Sequence, residues 1–160
     1  MNEVHTRHVP ERTVATIEGH TTAEALPDFI QTHLHRLLDV LSVAGLSPAG
    51  APFVAYYGPV DAEADGPVEV CVPIDGTLEG EDDVRVRVEP AAQEAYVRLT
   101  KAQVAYPGIL EAYQALEEYL TRTGATSSGA PREVYVTDWS AANPDDPACD
   151  VAWPIRAAEG

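Results

Sequence analysis

The sequence AGLSPAGAPFVAYY at residues 44–57 returns in altered form as TGATSSGAPREVYV at residues 123–136. Both stretches place a glycine, a Gly-Ala-Pro triplet and a tyrosine at matching positions. A glycine of this kind commonly ends a helix, and the turn after it leads into residues that alternate as a strand does. The match predicts that the chain consists of two similar halves, each with a helix followed by a strand.

The correspondence continues on both sides of this match. Downstream, VEVCVPI at residues 68–74 corresponds to CDVAWPI at residues 149–155. Upstream, apolar residues at helical spacing recur in the same order, namely Ile30, Leu37 and Leu41, and then Ile109, Leu116 and Leu120. A solenoid would need several shorter units, so this pattern favours a duplication inside one domain. We expect a single domain over residues 1–160, with repeats at about 10–76 and 92–156.

Each half shows the same order of predicted elements, which is a strand, a helix and two further strands. In the first half these lie at residues 12–18, about 23–44, 53–58 and 68–74. In the second half they lie at residues 94–100, from Pro107 to Gly124, 133–139 and 149–155. Residues 84–90 are predicted as an additional strand that joins the halves, and the N-terminal residues are predicted to be mobile.

These elements predict an α+β fold, a pseudo-two-fold duplicated β-α-β-β arrangement with an antiparallel sheet. The two helices are expected to cover one face of the sheet. The other face would then be available as a ligand groove.

The charge of the chain excludes several classes of partner. There are 26 acidic and 10 basic residues, which gives a formal net charge of −16. Such a field repels phosphate backbones and anionic lipids, and the basic residues form no stripe. We therefore expect no direct binding of nucleic acid, no DNA-binding domain and no membrane association. Because the N-terminus lacks an apolar stretch, we expect a cytoplasmic protein.

Four stretches resemble the GyrI-like family, the effector-binding domains of MerR- and AraC-type multidrug-responsive regulators and their stand-alone relatives. They are APFVAYYG (51–58), AYPGILEAYQALEEYL (105–120), PREVYVTDW (131–139) and DVAWPI (150–155). The resemblance implies a groove between the halves that binds amphipathic, often cationic, aromatic compounds, with Glu133 as the counter-charge. It also makes a second activity available, because some stand-alone members hydrolyse DNA alkylators that carry a cyclopropane ring.

Glu133 is the main candidate for a binding residue. Val134 and Val136 fall on one face of its strand, and Glu133 and Tyr135 on the other. Because the valines are suited to contact the helices, Glu133 and Tyr135 are predicted to point into the groove. A carboxylate among aromatic rings is costly to keep ionised, so a hydrophobic organic cation would pair with it. The alternative is an ordinary solvent-exposed glutamate.

Aromatic residues are the expected walls of this groove. Tyr56 aligns with Tyr135 and is predicted to face the groove, which makes its neighbour Tyr57 a core residue. Trp139 could equally cover the core, and Trp153 could fill it. Tyr113 is expected to pack in the helix core or flank. The complete set of candidate ligand-binding residues is Glu133, Tyr135, Tyr56, Trp139, Tyr96 and Trp153.

No cofactor or metal site is predicted. The histidines lack the spacing of zinc ligands, and the acidic stretch at residues 61–66 lacks the closing glutamate of a calcium loop. The two cysteines, Cys71 and Cys149, are expected to be buried thiols. There is no recognisable nucleophile motif.

Three functions fit the sequence. The leading hypothesis is binding of hydrophobic, aromatic, cationic small molecules, as a sensor read by a regulator or as drug sequestration. The alternative is a hydrolase that adds water to a cyclopropane-bearing compound, with Glu133 as general base and Tyr56 or Tyr135 as proton donor. The third is a gyrase-inhibitor-like acidic protein whose surface contacts a DNA-handling protein.

Overall fold

The computed structural model describes residues 3–58, 60, 65–105, 108–138 and 141–157. Its contacts divide the chain into two compact units. Unit A is Glu11–Pro90, and unit B combines Met1–Pro10 with Ala91–Gly160. No helix among the described residues is long and apolar enough to span a membrane.

The described residues form nine strands and three helices in a repeated order. The strands are β1 (His5–Val9), β2 (Arg12–Thr21), β3 (Phe53–Tyr56), β4 (Gly66–Ile74), β5 (Arg85–Glu89), β6 (Ala92–Thr100), β7 (Thr126–Ser127), β8 (Arg132–Tyr135) and β9 (Pro147–Arg156). The helices are α1 (Leu26–Val43), α2 (Lys101–Val104) and α3 (Gly108–Thr123). Strand, helix and two strands occur in each repeat, and every strand pairing described below is antiparallel. The predicted α+β class is therefore confirmed.

Unit A is an antiparallel sheet in the order β3-β4-β2-β5, and α1 packs against β2 and β4. Leu37 and Leu41, from the predicted apolar stripe of α1, are fully buried. At one end of β2, Gly19 lies so close to α1 that an added Cβ would stand 2.7 Å from the Phe29 ring. A glycine at this position therefore allows the Phe29 ring to approach the backbone of β2 closely.

Unit B has the corresponding order β1-β6-β9-β8, with β7 also paired to β9. Helix α3 packs against β6 and β9. Their contact forms a buried cluster of Ala95, Val97, Leu99, Ala112, Leu116, Val151 and Ile155. Each unit thus buries one helix stripe against one sheet face, as the repeat predicts.

The strand that precedes each repeat pairs in the unit formed by the other repeat. β1 leads into β2 in the chain but pairs with β6, and β5 leads into β6 but pairs with β2. The predicted joining strand is thus an edge strand of unit A. The prediction of a mobile N-terminus is wrong, because β1 makes a complete ladder with β6 from His5 to Val9.

The helix ends follow the glycines that open the repeat. Gly45 has a φ of 76° and Leu46 donates to the carbonyl of Leu41 at 2.8 Å, which is a Schellman ending. Gly124 ends α3 with a φ of 74°. The short helix α2 was not predicted. Its signal is a capping box, in which Thr100 and Gln103 each bond the other's backbone.

Candidate functional site

Glu133 lies on the face of the unit B sheet that carries α3. Glu133 pairs with Val151 of β9, a member of the buried α3 cluster, and Tyr135 pairs with Cys149. The hydroxyl of Tyr113, on α3, donates a hydrogen bond of 3.0 Å to Oε2 of Glu133. The prediction that Val134 takes the helix face and Glu133 the opposite one is therefore wrong.

The error has a physical reason. Alternation along a strand shows which side chains share a face, but it does not show which face the helix covers. We assumed that only apolar residues meet a helix. Tyr113 is amphipathic, so α3 buries the ring of Tyr113 and brings its hydroxyl to the carboxylate. Tyr113 was predicted as a packing residue only, and it is a polar partner of Glu133.

The groups around Glu133 are held in their protonated forms. Burial, and then the neighbouring Glu133, raise the pKa of Tyr113 above its ordinary value of 10.0. The same causes, in the same order, raise the pKa of Tyr135 and that of the Cys149 thiol. The tyrosine hydroxyls therefore stay neutral, and the hydroxyl of Tyr113 donates its proton to the hydrogen bond with the carboxylate.

Trp153 shares this face of the sheet. It lies two residues beyond Val151 on β9 and packs against the α3 cluster. Because Val151 is opposite Glu133, Trp153 is a diagonal neighbour of Glu133 across the two strands. Aromatic side chains are long enough to make contact across this diagonal distance. Its indole Nε1 is buried and has no hydrogen-bond partner among the residues the structure describes. The structure thus brings Glu133, Tyr135 and Trp153 together, and adds Tyr113.

The other candidates lie elsewhere. Tyr96 is on the opposite face of the unit B sheet, where the guanidinium carbon of Arg7 stands 4.1 Å from the centre of the Tyr96 ring. Tyr56 belongs to unit A, where it pairs with Val68 and is half-buried. Trp139 lies outside the described residues.

Two buried ion-pair networks were not predicted. Asp150, which aligns with Glu69 in the repeat, accepts hydrogen bonds of 2.8 Å from both Arg7 and Arg98. Glu69 accepts bonds of 2.6 and 3.1 Å from Arg87. Both acids lie at matching places in the middle of a strand. The repeat was therefore the sequence feature that could have predicted that both are buried and paired with arginine.

Tyr57 belongs to the second network. It was predicted to be a core residue, and this is wrong, because 53% of its surface is exposed. Its hydroxyl donates to Oε1 of Glu69 at 2.7 Å, so the polar end is fixed while the ring faces solvent. Alternation correctly separates Tyr56 from Tyr57, but it does not show that the face shared by Tyr57 and Glu69 is open to solvent at this end of the sheet.

The described residues contain no group of three or more His, Cys, Asp or Glu side chains arranged to hold a metal ion. Cys71 and Cys149 are buried free thiols, as predicted. The chemistry available near Glu133 is therefore that of one carboxylate, neutral phenols, a thiol and an indole.

A family model described as the GyrI-like small molecule binding domain matches residues 2–156. The chain belongs to the GyrI-like family. A comparison with curated proteins finds no significant match.

Solved structures show the same GyrI-like fold. The crystal structure of the EcmrR C-terminal domain has a TM-score of 0.84 at 17% identity, and the match covers 99% of each chain. In a complex of EcmrR with DNA the match spans 58% of the longer EcmrR chain, with a TM-score of 0.83 at 17% identity and 98% of this chain covered.

Two further neighbours are more distant. A hydrolase from Listeria innocua has a TM-score of 0.65 at 11% identity, with 96% of this chain and 92% of that chain covered. The structure of SAV2435 bound to tetraphenylphosphonium has a TM-score of 0.58 at 11% identity, with 96% and 94% covered. At these identities the likeness establishes the fold alone.

Proposed function

We propose that this GyrI-like domain binds hydrophobic aromatic cations and that Glu133 supplies the counter-charge. The observation that carries the proposal is the hydrogen bond from Tyr113 to Glu133, on a sheet face shared with Tyr135 and Trp153. A carboxylate surrounded by neutral aromatic side chains suits a large organic cation, which loses little hydration on entering such a place.

The hydrogen bond also indicates how binding proceeds. With no ligand, the Tyr113 hydroxyl satisfies one oxygen of Glu133. An aromatic cation then replaces or supplements this partner with a full positive charge. Each aromatic ring in contact with the cation adds roughly 0.5 to 2 kcal/mol. Affinity would depend little on exact shape, as expected for a site that accepts several compounds.

The wider site is proposed on the family resemblance. Trp139 is proposed as a further stacking surface, whereas Tyr96 lies beneath Arg7 on the opposite face of the unit B sheet and is not part of this site. SAV2435 has been solved with the aromatic cation tetraphenylphosphonium, which supports this class of ligand. EcmrR, in its complex with DNA, supports a role in which the ligand-bound domain is read by a transcription regulator. In this proposal the domain is a cytoplasmic sensor.

The test is a fluorescence titration with tetraphenylphosphonium and with neutral triphenylphosphine oxide. We expect Glu133→Gln to weaken the cation by about tenfold or more, which is 1.4 kcal/mol, and to leave the neutral compound unchanged. Glu117→Gln is the matched control, because Glu117 is an exposed acid of the same unit and its loss changes the net charge equally. Equal binding of the cation to both variants would overturn the proposal.

A hydrolase is the second candidate, favoured by the same pair of residues. Glu133 could remove a proton from water while Tyr113 or Tyr135, kept neutral by burial, donates to the substrate carbonyl. Water would add to a cyclopropane carbon, a ring C–C bond would break, and the proton would pass to the conjugated carbonyl system. The Listeria innocua neighbour described as a hydrolase supports testing this. Mass spectrometry decides: turnover yields a product heavier by one water, and binding alone returns the compound unchanged.

A further inference from the structure

Unit A contains a separate cavity of about 680 Å³. Gly19 faces α1, so its neighbour Glu18 lies on the opposite face of the sheet, and Glu69 pairs with Glu18 across β2 and β4. This size is within the range of small-molecule sites. The residues that line the cavity are Glu18, Gly19, His20, Tyr57, Pro67, Val68, Glu69, Arg85 and Arg87.

Tyr57 gives this cavity a fixed aromatic wall. Its hydroxyl is bonded to Glu69 at 2.7 Å, and Glu69 is itself held by two bonds from Arg87 and one of 3.2 Å from Cys71. Nevertheless, 53% of the surface of Tyr57 is exposed to solvent. A large exposed ring whose polar end is fixed loses little conformational entropy when another ring stacks on it.

Two residues of opposite charge in the same lining are exposed to solvent. Arg85 and Glu18 are both exposed, and neither makes a hydrogen bond or ion pair with any residue that the structure describes. Arg87, two residues from Arg85 on the same face of β5, differs, because its guanidinium is engaged by both Glu69 and Glu89. Within the described lining, Arg85 and Glu18 are therefore a cation and an anion available beside a stacking surface.

We propose that this cavity binds a small aromatic zwitterion, such as a free aromatic amino acid. The ring would stack on Tyr57, the carboxylate would pair with Arg85, and the ammonium group would pair with Glu18. The net charge of −16 repels a simple anion at long range, whereas a zwitterion carries no net charge and is not repelled. A simple cation would leave Arg85 without a partner.

The proposal is independent of the cation site at Glu133, because every residue that lines this cavity belongs to unit A. Glu133 is therefore a control: its replacement by glutamine should change tetraphenylphosphonium binding and leave zwitterion binding unchanged.

The experiment is a titration of the full chain with three matched compounds, in which NMR chemical shifts report binding. L-Tryptophan is the zwitterion, N-acetyl-L-tryptophan is the anion and tryptamine is the cation. We expect L-tryptophan to bind most tightly and to shift the Tyr57 ring signals. Arg85→Gln should weaken L-tryptophan binding by up to about fivefold, the upper end of the range for an exposed ion pair, without affecting tryptamine.

Glu18→Gln should give the converse pattern, weakening L-tryptophan and tryptamine but not N-acetyl-L-tryptophan. Arg156→Gln and Glu117→Gln are charge-matched controls at exposed positions outside the cavity. Absence of binding at millimolar L-tryptophan would overturn the proposal. So would binding that ignores Arg85→Gln, or N-acetyl-L-tryptophan binding as tightly as L-tryptophan.

Discussion

Replacing Arg87 by methionine should destabilise the domain, because it leaves Glu69 buried without its cation. Glu69 is 1% exposed and accepts bonds of 2.6 and 3.1 Å from Arg87. Removing one member of a buried ion pair typically costs about 3 to 5 kcal/mol. Because the Arg87 side chain is 30% exposed, water can partly solvate the remaining carboxylate. We therefore expect the free energy of unfolding to fall by about 3 kcal/mol, the lower end of that range.

The assay is urea denaturation at pH 7, with two comparison proteins. Arg85→Met changes the same residue type two positions away, where the guanidinium is exposed and makes no ion pair with a described residue, so it should cost less than about 0.5 kcal/mol. The double variant Arg87→Met with Glu69→Met removes both members of this pair, although Glu89 still loses its bond from Arg87, so it should regain part of the lost stability. Equal destabilisation by Arg87→Met and Arg85→Met would refute the reasoning.

The Glu69–Arg87 ion pair makes the destabilisation caused by Arg87→Met depend on pH. Burial alone would raise the pKa of Glu69, but the hydrogen bonds from Arg87 and Tyr57 overcome it and hold the pKa below its ordinary 4.5. An acid with a lowered pKa stabilises the fold above its unfolded pKa, and this contribution disappears as the pH falls through the folded pKa. The stability difference between wild type and Arg87→Met should therefore be largest near neutral pH and shrink below about pH 4.5. A difference that grows in acid would contradict this assignment.

Three further predictions concern Tyr113 and Gly19. Tyr113→Phe should raise the affinity for tetraphenylphosphonium by up to about tenfold, because the cation no longer displaces a hydrogen bond worth about 1.5 kcal/mol. Unchanged affinity in the fluorescence titration would mean that Tyr113 stays bonded to Glu133 in the complex. Because burial raises the pKa of Tyr113, absorbance titrations of wild type and Tyr113→Phe should coincide up to about pH 11, and an additional wild-type ionisation near pH 10 would contradict this. Gly19→Ala should lower the free energy of unfolding in urea by about 1 to 3 kcal/mol, because the added Cβ would stand 2.7 Å from Phe29. Gly50→Ala is the control and should have a much smaller effect, because the nearest atom would be 3.6 Å from the added Cβ.

The repeat allowed most of the fold to be predicted. Gly45 and Gly124 marked the helix ends because a left-handed backbone conformation favours glycine. The alternation in residues 84–90 correctly indicated β5. Helix α2 and strand β1 were missed for a common reason: both are short and polar, so their signals are a capping box and a long-range pairing rather than an apolar pattern.

The site was predictable in part. The residue pattern selected Glu133 and Tyr135 as neighbours on one face, and the structure places Trp153 beside them. It did not reveal Tyr113, because the partner of a strand residue across a helix depends on which face the helix covers. Nor did it reveal that Arg87 reaches Glu69, since the pairing of β5 with β2 is a property of topology and not of local sequence.

The crossed pairing of β1 and β5, the strands that precede the two repeats, has a consequence for dividing the chain. A cut between β4 and β5 would give two fragments, and each would carry the edge strand and the arginine that the other needs, Arg7 for Asp150 and Arg87 for Glu69. Co-expressed fragments should therefore reassemble, and co-purification of an untagged fragment with a tagged one would test this.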